Sequence, residues 1–199
     1  MSGTKHVIFD FETLSQNPFD GAAVSLAMLS FNELRFTSTN DKYVYGELVS
    51  DAKFIKFNVE EQVKDFGRKI EPSTLEWWGK QNKEAQKILK PSAEDRSITE
   101  LYDWFLDNMP DYPAKIYTRR NTFDPIFMTS LMKATGKPEP YQWWDVRDTI
   151  SYMEGLTANT SINTAFIPEG LEEHFVAHDP RHDIAMDVMR IQHLMGLVI

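Results

Sequence analysis

Runs of apolar residues near the start of the chain predict β-strands. Residues 5–12 form an apolar stretch that predicts a buried strand. Residues 22–31 alternate loosely between apolar and small side chains, so they predict a second strand after a short turn at residues 17–21. We predict a third strand over residues 43–49, which would complete an antiparallel meander.

Helical patterns dominate the rest of the chain. Pro72 predicts the start of a helix that carries Trp77 and Trp78, because proline favours the first helical position. Spacing and capping residues predict further helices at residues 82–89, 97–109, 122–135 and 179–197. Another helix is predicted after residue 146, ending at about residue 155. Short strands are predicted at residues 114–118 and 143–146. This order indicates an α/β fold with a mixed five-stranded sheet, in which a meander continues into parallel strands flanked by helices.

Composition narrows the class of protein. The length of 199 residues indicates a single domain over residues 1–199. The lack of cysteine excludes disulfides and thiolate metal sites, and no apolar stretch approaches membrane-spanning length. We therefore expect no membrane contact and a cytoplasmic location. The net charge of −9 argues against a broad basic surface for nucleic acid, so metals and a few local cations would have to face any phosphodiester.

The first predicted strand ends in two carboxylates, Asp10 and Glu12. Residues i and i+2 of a strand project to the same side, so these carboxylates would lie together. Like charges that close repel unless a cation lies between them, and Mg²⁺ or Mn²⁺ prefers oxygen ligands. A chain this acidic contains roughly one Asp-x-Glu by chance, so the position at the end of an apolar strand is what gives the motif weight.

A third carboxylate, Asp124, follows the strand predicted at residues 114–118. Ligands of α/β sheets collect beyond the carboxyl ends of the strands, where Asp124 would join Asp10 and Glu12. The alternative is structural, because an aspartate before Pro125 is also typical of a helix start.

The C-terminal stretch contains three overlapping His-x4-Asp pairs: His174/Asp179, His178/Asp183 and His182/Asp187. Asp179 followed by Pro180 predicts the start of the last helix. His178 would then lie in the loop and Asp183 one turn into the helix, where both can reach a shared metal-bound water. A zinc site built from all three histidines is disfavoured, because Pro180 interrupts a continuous helix.

The pair His182/Asp187 remains the alternative register. His182 lies in the first helical turn, where we expect a solvated face. Asp187 borders an apolar stripe of the same helix and would be a buried hydrogen-bonding partner. Helix geometry therefore favours His178 and Asp183 as the functional pair.

The ordered set Asp10-x-Glu12, Asp124 and His178-x4-Asp183 resembles the DEDDh 3′–5′ exonucleases of the RNase H-like fold, the DnaQ-like group. The resemblance spans nearly the whole chain and extends to the exodeoxyribonucleases of bacteriophages. The segments that carry it are residues 10–13, 73–78, 123–126 and 175–183. One departure is visible, because many members have an asparagine four residues before the second-motif aspartate, where this chain has Arg120.

The resemblance implies hydrolysis of DNA from a free 3′ end, releasing nucleoside 5′-monophosphates with two divalent ions, Mg²⁺ or Mn²⁺. It implies that Asp10 bridges both ions, that Glu12 and Asp183 hold the ion carrying the nucleophilic water, and that Asp124 supports the other. His178 would be the general base. An exoribonuclease of the same fold and a catalytically silent nucleic-acid-binding domain are the alternatives. A phage-encoded enzyme would act in the host cytoplasm, and the sequence indicates no oligomeric state.

Substrate contacts are predicted at residues that flank these motifs: Phe11, Thr13, Leu14, Trp78 and Arg120. The alternative for Phe11 is the strand core, and for Thr13 and Leu14 it is a turn. Adjacent helix positions face different ways, so one of Trp77 and Trp78 should be buried and the other exposed. Basic residues that could meet phosphates are Lys115, Arg119, Arg120 and Arg147.

Overall fold

The computed structural model describes residues 5–110 and 115–198. Five strands form one mixed sheet: β1 (Lys5–Thr13), β2 (Ala23–Asn32), β3 (Lys53–Lys56), β4 (Ile116–Thr118) and β5 (Val146–Asp148). Their order across the sheet is β3-β2-β1-β4-β5. The pairs β1–β2 and β2–β3 are antiparallel, whereas β4 runs parallel to both β1 and β5. The predicted five-stranded mixed sheet is therefore confirmed.

In the part of the chain that the structure describes, seven α-helices pack around the sheet: α1 (Tyr45–Asp51), α2 (Val59–Phe66), α3 (Pro72–Trp78), α4 (Leu101–Asn108), α5 (Asp124–Thr135), α6 (Thr149–Thr157) and α7 (Pro180–Val198). Short 3-10 turns occur at Glu33–Arg35, Ala85–Leu89, Ile98–Glu100 and Trp143–Asp145. Within the described ranges, none of the helices combines the length and the apolar character needed to cross a bilayer.

The alternation of side chains along β1 places its two carboxylates on one face of the sheet. One layer, which includes side chains of α4 and α5, receives the alternate residues Val7, Phe9 and Phe11. The opposite layer, which includes α1, α6 and α7, receives Ile8. Asp10 and Glu12 share the parity of Ile8, so they project toward α7. This agrees with the prediction that both carboxylates lie on one side of the strand.

The strand predicted at residues 43–49 is wrong, because that segment forms α1 and the third strand lies at Lys53–Lys56. Tyr45 and Leu48 are three residues apart and both are buried against α7, which is a helical burial pattern. The true third strand is only four residues long, too short for its alternation to be distinctive in the sequence.

Three other boundaries differ from the predictions. The strand predicted at residues 143–146 is a 3-10 turn followed by β5 at Val146–Asp148, and Asp148 caps α6 by accepting backbone hydrogen bonds. The helix predicted at residues 82–89 is a 3-10 turn at Ala85–Leu89. The strand predicted at residues 114–118 begins at Ile116, and residue 114 lies outside the described residues.

Candidate active site

The backbone of β1 holds Asp124 beside the first motif. β1 pairs with β4 only at Val7 and Ile8, so its later residues have no strand partner on that side. The N–H of Phe11 instead donates a hydrogen bond to Oδ1 of Asp124, with a donor–acceptor distance of 3.1 Å. Asp124 is the first residue of α5 and is buried, while Phe123 occupies the N-cap position. The Asp124 carboxylate therefore binds β1 rather than capping its own helix.

The start of α7 places the last motif opposite β1. Pro180 is its first residue, and the Asp179 carboxylate accepts a hydrogen bond from the N–H of Arg181 at 3.1 Å. This is the helix start that the sequence predicted. Asp183 lies one turn further and its Oδ2 accepts a hydrogen bond from the N–H of His178 at 2.9 Å.

His178 adopts a left-handed backbone conformation, with φ of 68°. Histidine enters this region more readily than bulky or β-branched residues do. The ring of Trp77 meets the His178 ring edge-on, with their centroids 4.7 Å apart. Donor atoms of Glu12, His178 and Asp183 all lie within 4.8 Å of one another. The turn thus brings the loop histidine into the carboxylate cluster.

These groups line a cavity of about 310 Å³. Asp10, Glu12 and Asp183 supply its acidic side, together with His178. Two guanidinium-bearing residues, Arg119 and Arg190, also line it. Asp187 lines the cavity as well and pairs with both arginines, so within the described residues the carboxyl groups of Asp10, Glu12 and Asp183 are the ones there without an ion-pair partner.

Burial raises the pKa of each clustered carboxyl group. The pKa of Asp10 and that of Glu12 lie well above their usual range, first because of burial and then because of neighbouring carboxylates. Burial raises the pKa of Asp124 and of Asp183 to about 7, although each accepts a backbone hydrogen bond that opposes the shift. The cluster therefore binds protons tightly in the absence of another cation.

The donor set fits hard divalent cations. Asp10, Glu12, Asp124 and Asp183 offer carboxylate oxygens, the ligands that Mg²⁺ and Mn²⁺ prefer. A divalent ion bound here would favour the charged form of these buried carboxylates and relieve the repulsion that adds to the effect of burial on Asp10, Glu12 and Asp183.

Asp187 has surroundings unlike those of Asp183, one turn earlier on α7. Its Oδ1 accepts hydrogen bonds from Arg119 and Arg190, each at 2.7 Å, and its Oδ2 accepts one from the Thr149 hydroxyl at 2.9 Å. The arginines also donate to backbone carbonyls of the preceding loop, at Thr164, Ala165 and Phe166. Asp187 is thus a buried, neutralised partner that ties this loop to α7, as its place beside the apolar stripe predicted.

His182 does not lie on a solvated face, which corrects the prediction. It is half-buried, and its Nδ1 lies 2.8 Å from the hydroxyl of Tyr45. The reason is α1, which packs across the start of α7 and was predicted to be a strand.

Three of the predicted substrate residues belong largely to the core or to a turn. The Phe11 side chain is buried and packs against Phe127, with ring centroids 5.1 Å apart. Leu14 is buried in a cluster with Trp78. The hydroxyl of Thr13 donates to the carbonyl of Ser15 at 2.8 Å. Phe11 touches the cavity, whereas the nucleotide contacts of Thr13 and Leu14 stay predictions.

Trp78 cannot stack on a base, because only 1% of its surface is exposed. Its Nε1 donates a hydrogen bond to the carbonyl of Thr13 at 3.0 Å, which supports the strand end that carries Glu12. Trp77 is the exposed member of the pair, and it covers His178. No local pattern makes this choice, because the two tryptophans are adjacent and the contact of Trp78 with the end of β1 decides which of them is buried.

Of the predicted phosphate contacts, two are engaged within the protein. Lys115 pairs with Asp145, and Arg119 pairs with Asp187. Arg120 is exposed, with φ of 70°, and its backbone N–H donates to Asp148 at 2.9 Å. Within residues 5–110 and 115–198, neither the Arg120 nor the Arg147 side chain forms an ion pair with a carboxylate.

Solved structures define the class of this fold. A zinc-bound complex of E. coli exonuclease I with single-stranded DNA matches 96% of this chain with a TM-score of 0.62 and 15% sequence identity. A second E. coli exonuclease I structure matches 98% of the chain with a TM-score of 0.59 and 13% identity. This chain spans only 40% and 43% of those two chains. The likeness confirms the predicted RNase H-like nuclease fold.

Sequence comparison gives the family. The model of the 3′–5′ exoribonuclease Rv2179c-like domain matches residues 5–186. The exodeoxyribonuclease of Enterobacteria phage T4 is 30% identical over an alignment 208 residues long, gaps included, which covers 94% of this chain and 88% of the phage protein. The chain belongs to the family of the 3′–5′ exoribonuclease Rv2179c-like domain, and the resemblance to 3′–5′ exonucleases is confirmed.

Proposed function

We propose that this chain is a metal-dependent 3′–5′ exonuclease of the DEDDh type. It hydrolyses DNA from a free 3′ end and releases nucleoside 5′-monophosphates. The observation that carries the proposal is the convergence of Glu12, His178 and Asp183, whose donor atoms lie within 4.8 Å of one another. Asp10 and Asp124 complete the set from β1 and from the start of α5.

Asp10, Glu12, Asp124 and Asp183 would hold two divalent ions, Mg²⁺ or Mn²⁺. Such ions, when bound, supply the charge that activates a water and stabilises the leaving 3′ oxygen. The protein contributes fixed positions for the carboxylates. The Phe11 N–H fixes Asp124, and the His178 N–H fixes Asp183. Both acceptors are thus oriented by the backbone rather than by mobile side chains.

His178 is the general base in this proposal. Burial lowers its pKa from the usual value of 6.5, so the imidazole is neutral at pH 7 and can accept the proton of the attacking water. The edge of Trp77 restricts the ring from one side. The short distance from His178 to Glu12 and Asp183 supports this role, because those carboxylates would hold the ion that carries the water.

DNA is the first choice of substrate because the phage T4 relative is an exodeoxyribonuclease and the E. coli exonuclease I complex contains single-stranded DNA. The family description, an exoribonuclease-like domain, favours RNA as the second candidate. The carboxylates and His178 act on the phosphodiester that both polymers share, so they do not separate the two. A catalytically silent binding domain is disfavoured, because all five groups of the site are present.

Digestion of matched oligonucleotides tests the proposal. Single- and double-stranded DNA and RNA of one sequence, labelled at the 5′ end, are incubated with Mg²⁺, with Mn²⁺ or with EDTA. We expect a ladder shortened from the 3′ end and nucleoside 5′-monophosphate products, only with metal. Asp10→Ala is the inactive control. Cleavage of a circular single strand, 3′-monophosphate products or activity in EDTA would contradict the proposal.

A further inference from the structure

Two adjacent tryptophans form an exposed aromatic surface at the edge of the sheet. Trp143 exposes 79% of its surface and Trp144 exposes 54%. Their rings lie edge-to-face, with centroids 5.4 Å apart, in the 3-10 turn that precedes the edge strand β5. Exposing this much aromatic surface to water forfeits a large hydrophobic gain, so such a surface is typical of an interaction site.

The tryptophan surface borders a groove of about 620 Å³. Asn121 and Pro125, which lie close to Asp124 in the sequence, line the groove together with Pro138 and Trp143. Thr129, one turn further along α5, also lines it. The groove, which we call the α5 groove, therefore lies along α5, between the start of that helix, where Asp124 lies, and the exposed Trp143.

Two exposed arginines lie close in the chain to residues of this groove, although the chain carries a net charge of −9 and the lining of the groove itself includes Glu139. Arg147 is exposed, and its guanidinium donates to the backbone carbonyls of Trp144 and Val146, each at 2.8 Å. Arg120, which precedes Asn121 in the chain, is also exposed. Since neither side chain forms an ion pair with a carboxylate of the described residues, their charges remain available to an anionic chain.

We propose that the α5 groove binds the single strand of the substrate upstream of its 3′-terminal nucleotide. Bases stack on Trp143 and Trp144, and phosphates lie near Arg120 and Arg147. Stacking tolerates any sequence because every base has a π-face, which suits an enzyme that shortens a strand one residue at a time. The inference rests on the proposed function, and it adds a binding surface outside the carboxylate site.

Oligonucleotides of different length distinguish binding by the α5 groove from binding by the carboxylate site. The Asp10→Ala background is used because it should not degrade the oligonucleotide. In this background, fluorescence anisotropy measures binding of oligonucleotides of 4 and 16 nucleotides. We expect the double change Trp143→Ala and Trp144→Ala to weaken binding of the longer strand at least about tenfold. The 4-nucleotide strand should lose less, because it extends less far along the groove. Leu34→Ala is the matched control, because it removes an exposed apolar side chain that is far from Trp143 and Trp144 in the sequence.

Two further variants distinguish stacking and charge from a general disturbance. Trp143→Phe keeps an aromatic face and should retain most of the affinity for the longer strand. Arg147→Gln should reduce the dependence of log affinity on log salt concentration by about 0.7, the value for one phosphate of a single strand. Circular dichroism and melting curves verify that every variant folds.

The outcomes separate this inference from the proposed function. If the unmodified protein digests oligonucleotides but the double tryptophan variant binds the 16-nucleotide strand within twofold of its background, the groove proposal is overturned and the exonuclease stands. The tryptophans would then serve a different partner, such as another protein. If the unmodified protein digests nothing but the tryptophans still govern binding of the longer strand, the exonuclease fails and the groove stands.

Discussion

Asp183 and Asp187 lie one turn apart on α7, yet their surroundings are opposite. Asp187 is surrounded by Arg119, Arg190 and the Thr149 hydroxyl, which neutralise it and satisfy its oxygens. Asp183 accepts a backbone hydrogen bond from His178. Burial, followed by the charges of nearby carboxylates, raises its pKa to about 7, although Arg190 opposes the shift.

The contrast shows how one helix provides both a structural and a reactive carboxylate. A buried charge requires a partner, and Asp187 finds it within the protein. Asp183 lacks a positively charged hydrogen-bond partner among the described residues, so its partner must be a proton or an external cation. This difference, rather than the spacing His-x4-Asp that both registers share, is the reason to assign the proposed metal-binding role to Asp183.

The largest effect is expected from Asp183→Asn. It removes a proposed metal ligand while keeping the shape of the side chain, so exonuclease activity should fall by on the order of 10⁴-fold or more, beyond the range for the loss of a general base. Steady-state rates on a 5′-labelled DNA strand at saturating Mg²⁺ measure it. Asp187→Asn, assayed at a temperature where it remains folded, should retain the Mg²⁺ dependence of the unmodified protein. Equal losses in both variants would remove the distinction.

His178→Ala should lower the rate by about 10²–10⁴-fold, the usual contribution of general base catalysis. The acidic limb of the pH–rate profile should also disappear. That limb is expected below pH 6.5, because burial lowers the pKa of His178 and the base must be neutral to act. A profile that keeps this limb in the variant would assign it to another group.

Asp187→Asn should act mainly on stability. It leaves two arginines without their carboxylate, one of them buried, so the free energy of unfolding should fall by about 3 kcal/mol. Urea unfolding monitored by circular dichroism gives this value. The Asp183→Asn variant, measured without metal, is the control and should be no less stable than the unmodified protein. If the Asp187→Asn variant were as stable as the unmodified protein, the structural role of Asp187 would be contradicted.

The pH dependence of metal-free stability distinguishes Asp183 further. Its folded pKa of about 7 exceeds the unfolded value near 4, so the native state binds more protons and the free energy of unfolding falls as pH rises from about 4 to 7. Relative to the unmodified protein in EDTA, Asp183→Asn should therefore gain stability between pH 5 and pH 7.5. One pKa unit corresponds to about 1.4 kcal/mol.

Melting curves at these two pH values measure the difference between the two proteins, which cancels the opposite titration of His178 and His182. Mg²⁺ should raise the melting temperature of the unmodified protein more than that of the variant. A pH-independent difference would show that Asp183 is not forced to hold a proton.

The smallest effect is expected from His182→Ala. It removes the hydrogen bond with Tyr45, so stability should fall by about 1 kcal/mol while the catalytic rate changes by less than about threefold. Tyr45→Phe is the matched variant and should reproduce the stability loss. A His182→Ala variant with the rate of His178→Ala would favour the alternative register.

Much of the fold and the site followed from local signals. The apolar runs predicted β1 and β2, and proline at the first helical position predicted the starts of α3 and α7. The carboxylates were found because Asp10 and Glu12 lie at the end of an apolar strand, Asp124 begins a helix and Asp183 lies one turn into another. The failures arose where long-range packing decides: α1 is helical because Tyr45 and Leu48 bury against α7, which lies more than 130 residues further along the chain.

The arginine partners of Asp187 show the same limit. Arg119 lies 68 residues before it in the sequence, and no local pattern links the two. The choice between Trp77 and Trp78 also depended on which helix face meets the β1 end. For Asp187 and for the two tryptophans, the residue type alone indicated the possible roles. Only the tertiary contacts determined which role each residue has.

Calorimetric titration with Mn²⁺ at pH 7.5 tests the assignment of the metal site most directly. The unmodified protein and Asp187→Asn should bind Mn²⁺ with similar affinity, because Asp187 is neutralised by arginines. Asp183→Asn should lose at least one binding event. If Asp183→Asn bound Mn²⁺ as the unmodified protein does, and Asp187→Asn did not, the His182/Asp187 register would be the metal-binding one.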